Sequence, residues 1–62
     1  MVEVGEKVRV KIIGLTPRGN GWGMVGDKPI IVPFTAVGAT YIVEVTEVYP
    51  EYCVGKAIKR LY

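Results

Sequence analysis

Trp22, Phe34 and Tyr52 are the residues of this chain with chemistry to offer, and that chemistry is stacking rather than bond-breaking. A base laid on an aromatic ring gains about 1–3 kcal/mol whatever its identity, because every base has a π-face. The chain has one tryptophan, and it stands in "NGWGMV" between Gly21 and Gly23. Glycine neighbours leave a strand side chain uncrowded and let a ligand come close to the backbone. Arg18 and Lys28 stand at the two ends of this stretch and Lys56 follows Tyr52, so cations able to meet phosphates accompany the rings. Each residue also has a plainer placement. Trp22 fits a core, where an aromatic buries about 150–250 Å². Tyr52 fits a core with its hydroxyl at the rim, Phe34 a loop plug, and Arg18, Lys28 and Lys56 an ordinary solvated surface.

Acid–base and metal chemistry are poorly provided for. Histidine is absent and Cys53 is the lone cysteine, which leaves no zinc set and no nucleophilic triad. The expectation is a protein that is not an enzyme and takes no cofactor and no metal. With one cysteine there is no internal disulfide, which fits a reducing compartment. No apolar run approaches the roughly 18 residues a bilayer span needs, and no leader-like segment opens the chain. These features point to a cytoplasmic protein without a membrane partner. At 62 residues it reads as one domain, of a size that buries only roughly 60% of its unfolded surface. Eight Lys and Arg against six Asp and Glu give a net charge of +2, a mild bias compatible with nucleic acid.

The elements that must position these residues are strands. Apolar and polar residues alternate in "KVRVKI" and nearly so in "YIVEVTEV", the period of a half-buried strand. Val8, Val10 and Ile12 then face inward, with Lys7, Arg9 and Lys11 outward. Gly14, Pro17 and Gly19 break the chain before a second strand, "NGWGMV". Gly26-Asp27-Lys28 reverses it into a third, "PIIVP". The fourth runs from about Tyr41 to Val48, with Tyr41, Val43 and Val45 on the inner face. The fifth is "YCVGKAIKRL", whose Gly55 and Ala57 permit the bending a barrel needs. Short strands with turns every eight to twelve residues predict an all-β, five-stranded antiparallel barrel. A pairing of Glu44 with Arg9 and Lys11 would leave those two cations as second-rank candidates for phosphate contact.

The stretch "NGWGMVGD" meets the RNA-recognition signature at Gly21, Gly23 and Val25, with Trp22 as the aromatic. "IIVPFTAV" resembles the second ribonucleoprotein-type stretch of cold-shock proteins at Phe34, Thr35 and Ala36. Carried over, the cold-shock stacking positions fall on Trp22, Met24, Ile31, Pro33 and Phe34; two of the five are aromatic, which points to weaker, less base-selective binding. Nearly the whole chain resembles a TRAM domain, a small barrel found alone in archaea and appended to RNA-modifying enzymes. The Val-Gly-Glu opening, Gly19, Gly21 and Gly23, Val32-Pro33, Gly38, and Tyr52 with Gly55 follow its pattern in order. Ala39 stands where the family usually has an acid, and "DKPI" replaces its usual hairpin.

The resemblance implies an oligonucleotide-binding (OB-like) barrel over residues 1–62 that binds single-stranded RNA (tRNA, rRNA or mRNA). It further implies a monomeric RNA chaperone, cold-shock-like and independent of ATP. RNA contact is assigned to Arg18, Trp22, Lys28, Phe34, Tyr52 and Lys56. The alternative is a protein-interaction barrel that docks on an RNA-modifying enzyme or the ribosome through the same rings.

Overall fold

Strict alternation in β1 (Lys7–Lys11) sends Val8 and Val10 inward and leaves Lys7, Arg9 and Lys11 exposed. The computed structural model describes residues 2–62, and its other strands are β2 (Gly14–Leu15), β3 (Gly21–Val25), β4 (Lys28–Val32), β5 (Thr40–Val48) and β6 (Cys53–Arg60). Together they form one curled sheet in the order β1-β5-β6-β4-β3-β2. The count is six rather than the expected five, because the first strand bends. At the bend Ile12 still exchanges hydrogen bonds with the 38–39 turn, whereas the Ile13 amide already donates to the Trp22 carbonyl at 2.9 Å. One stretch, 7–15, therefore lies at both ends of the sheet. All neighbours run antiparallel except β4 and β6, which are parallel, so the all-antiparallel expectation needs that one correction. A parallel pair requires a crossover, and β5 with its flanking loops supplies it.

The hairpin between β3 and β4 is the two-residue turn Gly26-Asp27, since Val25 pairs with Lys28. Gly26 has a φ of 63° at the first central position, where a type II′ turn favours glycine. β5 and β6 are the long strands, and two register shifts, at Ile42/Val43 and Val45/Glu47, let them coil around the core.

The core consists of Val10, Ile12, Ile30, Val32, Ala39, Tyr41, Val43, Val45 and Cys53, with Val2, Val8, Val25 and Ala57 packed against it. Each fully buried aliphatic side chain contributes roughly 1.5–3 kcal/mol. Tyr41 is in the core as the alternation requires, and its hydroxyl accepts a hydrogen bond from the Ala36 amide at 2.9 Å. Cys53 is fully buried opposite Ile30, filling space as a small apolar residue. Among the described residues no helix is long and apolar enough to cross a membrane.

Candidate nucleic-acid interface

On β3 the inner face carries no side chain beyond a hydrogen at two successive positions. Gly21 and Gly23 are both buried. A Cβ on Gly23 would stand 2.3 Å from the Lys11 carbonyl oxygen, and one on Gly21 would stand 2.0 Å from Thr35 Oγ1. The glycines thus let β3 cross close over the 7–15 stretch. They do not open the backbone to a ligand, contrary to the expectation from the glycine spacing. Their effect on Trp22 is indirect: with the inner face closed, the indole lies on the outer face.

There Trp22 is half-buried and outside the core. Its edge leans on Gly14 of β2, where a Cβ would come within 2.7 Å of the indole nitrogen. Trp22 pairs with Ile31 across the β3–β4 ladder, and Ile31 with Val54 across β4–β6. Trp22, Ile31, Pro29 and Tyr52 line one apolar depression, with Leu15, Thr16 and Pro17 at its border. Two of the three rings are therefore brought together, and Tyr52 is on the outside, half-buried, rather than in the core.

Two loops frame this depression, and both are tied by their own hydrogen bonds. In the loop after β2 the Thr16 amide donates to the Asn20 carbonyl (2.7 Å), the Gly19 amide to the Thr16 carbonyl (2.8 Å), and the Asn20 amide to Thr16 Oγ1 (3.1 Å). In the loop between β5 and β6 the Tyr49 amide donates to the Tyr52 carbonyl at 2.8 Å. Tyr49 and Tyr52 stack with ring centroids 4.9 Å apart and planes 29° from parallel. Tyr49 was missed from sequence; the signal was "YPEY", where a turn at Pro50 brings rings three residues apart face to face. The Tyr49 hydroxyl donates to the Glu47 carboxylate. That bond, together with burial and the charge of Glu47, raises its pKa above the usual phenol value. The stacked ring stays neutral at ordinary pH and offers no negative charge to a phosphate.

Phe34 is placed separately. It is fully exposed, at 101%, beside a second depression formed with Pro33, Thr46, Val54 and Lys56. The two depressions are neighbours through the Ile31–Val54 pair. Phe34 has a φ of 62°, the left-handed region that a bulky residue avoids at a cost of roughly 1–2 kcal/mol. The loop holds it there from both sides, through Thr35 Oγ1 donating to the Val32 carbonyl (2.8 Å) and the Ala36 amide donating to Tyr41. A side chain on a strained backbone and kept wholly in solvent contributes nothing to packing. Phe34→Gly is therefore expected to raise the melting temperature by about 2–8 °C, since relief of strain outweighs the added freedom of the unfolded chain. The same change should weaken single-strand RNA binding at least about fivefold. Thermal melts and anisotropy titrations on one sample check both, and a fall in both would show that Phe34 packs rather than binds.

The cations divide. Arg18 is exposed in the loop that borders the Trp22 depression, next to Pro17, and Lys56 is exposed in the Phe34 depression. Lys28 is half-buried, and its Nζ donates to the Tyr49 carbonyl at 3.0 Å. It fastens the Tyr49–Tyr52 loop to the hairpin and keeps two N–H groups for another acceptor. Glu44 lies opposite Lys7 and Lys56, whereas Arg9 faces Ile42 and Lys11 faces Thr40. The expected pairing of Glu44 with Arg9 and Lys11 is thus corrected: Glu44 lies opposite Lys7, two residues from Arg9 and four from Lys11, and both cations stay on the surface. Among the described residues no three His, Cys, Asp or Glu side chains gather as a metal site would require.

The fold has a solved counterpart. A conserved protein of Methanococcus maripaludis, determined in solution, superposes with a TM-score of 0.85 over 92% of this chain and 81% of that one, at 24% identity. Likeness at that identity speaks to the fold alone. Comparison with curated proteins gives no match. A TRAM domain model, in contrast, matches residues 1–58, all but the last four residues of the 62-residue chain. The glycine pair on β3, the OB-like barrel and this match agree, and the chain belongs to the TRAM family of nucleic-acid-binding domains.

Proposed function

We propose that the chain binds single-stranded RNA with little base selectivity, stacking bases on Trp22, Tyr52 and Phe34, and acts as an RNA chaperone that needs no ATP. The observation that carries this reading is the meeting of Trp22 and Tyr52 in one apolar depression on the outer face of β3 and β4. OB barrels bind oligonucleotides on the face of their second and third strands, between the loop after the first strand and the loop before the last. Here those are β3 and β4, with the loops at 16–20 and 49–52. Hydrogen bonds already order both loops, so little conformational freedom is lost on binding.

A chaperone needs its stacking face to hold unpaired strands better than helices. Stacking supplies that preference, because paired bases hide their faces. Arg18, Lys56 and the remaining donors of Lys28 meet the backbone. Three such contacts on a single strand give a salt slope of roughly −2. TRAM membership favours RNA as the polyanion.

Trp22 is the only tryptophan, so its fluorescence reports on the depression alone. Titration with an unstructured RNA should quench it, with a midpoint that shifts weakly with salt, and a blunt RNA duplex should leave it unchanged. Equal quenching by strand and duplex would remove the basis for chaperone action. No quenching by either would leave the rings to a protein partner.

A further inference from the structure

Away from the stacking face the charges sort by side of the barrel. Lys7, Arg9 and Lys11 all project from β1 on its outer face. Cross-strand register continues each row over the neighbouring strands: Lys7 to Glu44 to Lys56, Arg9 to Ile42 to Lys59, and Lys11 to Thr40. Five exposed cations thus share the outer surface of three adjacent strands, in a chain with eight in all. Glu44 is the one acid in these rows. The other carboxylates lie elsewhere: Glu3 and Glu6 before β1, Asp27 in the hairpin, Glu47 late in β5 and Glu51 in the following loop. A net charge of only +2 therefore conceals a strongly one-sided field.

This surface is ordered for contact with a polyanion. Alternate residues on a strand lie about 6.8 Å apart and adjacent strands about 4.8 Å, so the cations form a grid rather than a point cluster. Arg9 Nη2 donates to the Tyr62 hydroxyl at 3.0 Å, and its guanidinium lies 5.7 Å from the centre of that ring. Arg60 Nε donates to the Tyr62 main-chain oxygen at 2.9 Å. Tyr62 thereby orients two arginines at the edge of the grid. A protein partner would call for an apolar centre, since charges are depleted from the middle of protein interfaces. Here the middle of the grid holds Glu44 and the half-buried Ile42.

We propose that the outer face of β1, β5 and β6 is a second nucleic-acid site, distinct from the stacking face, which holds the phosphates of double-helical RNA. A helix displays phosphates on its outside and hides its bases, so it suits a face where cations outnumber rings: the one ring at this grid, Tyr62, lies at its edge and is engaged by Arg9. Lys56 belongs both to this grid and to the Phe34 depression, which makes the two surfaces continuous. One chain would then sit where a helix gives way to a single strand. The proposal depends on the reading above only in taking RNA as the polyanion.

The test is anisotropy of a dye-labelled, blunt RNA duplex titrated with the full chain at several salt concentrations. Five contacts predict a slope of roughly −4 to −5. Lys7→Gln/Lys11→Gln/Lys59→Gln should reduce the slope by about 2.7 and weaken low-salt binding at least about tenfold. Glu44→Gln should tighten it roughly two- to fivefold, a gain that misfolding does not produce. Undetectable duplex binding, an unchanged slope in the triple variant, or no gain from Glu44→Gln overturns the proposal. Polyglutamate that binds as tightly as the duplex overturns it in favour of an acidic protein. Loss of Trp22 quenching by single strands, with duplex binding intact, defeats the stacking reading and leaves this one standing.

Discussion

Gly23→Ala is expected to leave the chain without a cooperative folding transition, or with one at least about 12 °C lower. The added methyl would lie 2.3 Å from the Lys11 carbonyl oxygen and 2.6 Å from Val10 Cγ1. The second contact yields by a rotamer change; the first is backbone and does not. Relief requires β3 to move away from the 7–15 stretch at the place where that stretch turns from β5 to β3. Overpacking costs about 1–3 kcal/mol where a core relaxes, and more where it does not. A domain of this size draws roughly 3–5 kcal/mol from its core, so the substitution removes most of it. For so small a domain each kcal/mol corresponds to about 4–8 °C of melting temperature. Met24→Ala is the control: Met24 is on the same strand but exposed, and the melt should scarcely move. Circular dichroism melts of both variants decide the matter. A Gly23→Ala chain that melts within a few degrees of its parent would mean that the strands separate without penalty, and the structural account of the β3 glycines would fail.

Trp22→Ala should leave a folded barrel and weaken single-strand RNA binding by roughly 5- to 150-fold, the equivalent of one lost stacking contact. The fold survives because Trp22 is not among the core residues; it leans on Gly14 from outside. The salt slope should stay near its original value, since an indole releases no counterions. Labelled-RNA anisotropy makes the measurement, as the variant has no tryptophan. Tyr52→Ala should act in the same direction and Tyr52→Phe should have little effect, because the ring and not the hydroxyl lines the depression. Tyr49→Ala is a milder version, depriving Tyr52 of its stacked neighbour. An unchanged affinity for Trp22→Ala would reduce that residue to a brace for β2.

The strand pattern was legible wherever one face is buried and the other wet. Val8, Val10 and Ile12 against Lys7, Arg9 and Lys11, and Tyr41, Val43 and Val45 in β5, follow from a period of two and nothing else. β2 was not legible. Gly14–Leu15 has no pattern of its own and is a strand only because β3 lies beside it. The parallel pairing of β4 with β6 is likewise a product of the whole path of the chain. Gly21 and Gly23 stand out in the sequence without showing which side of the sheet requires them: a missing side chain is equally visible from either face, and only the crossing of the 7–15 stretch shows which one needs the room. Trp22, Phe34 and Tyr52 were found by residue type. Their division into two depressions, the tether on Lys28 and the register of Glu44 depend on distances between strands that no local window encodes.

The bent stretch 7–15, present at both ends of the sheet, bears on how this molecule lives among its own copies. A protein that keeps phenylalanine, tyrosine and isoleucine in water would ordinarily invite growth into fibres, one copy adding its backbone to the next. Bending first and last staves out of one continuous segment shortens the template such growth requires, since the last stave is two residues long. What stickiness remains belongs to side chains, whose contacts come apart as readily as they form.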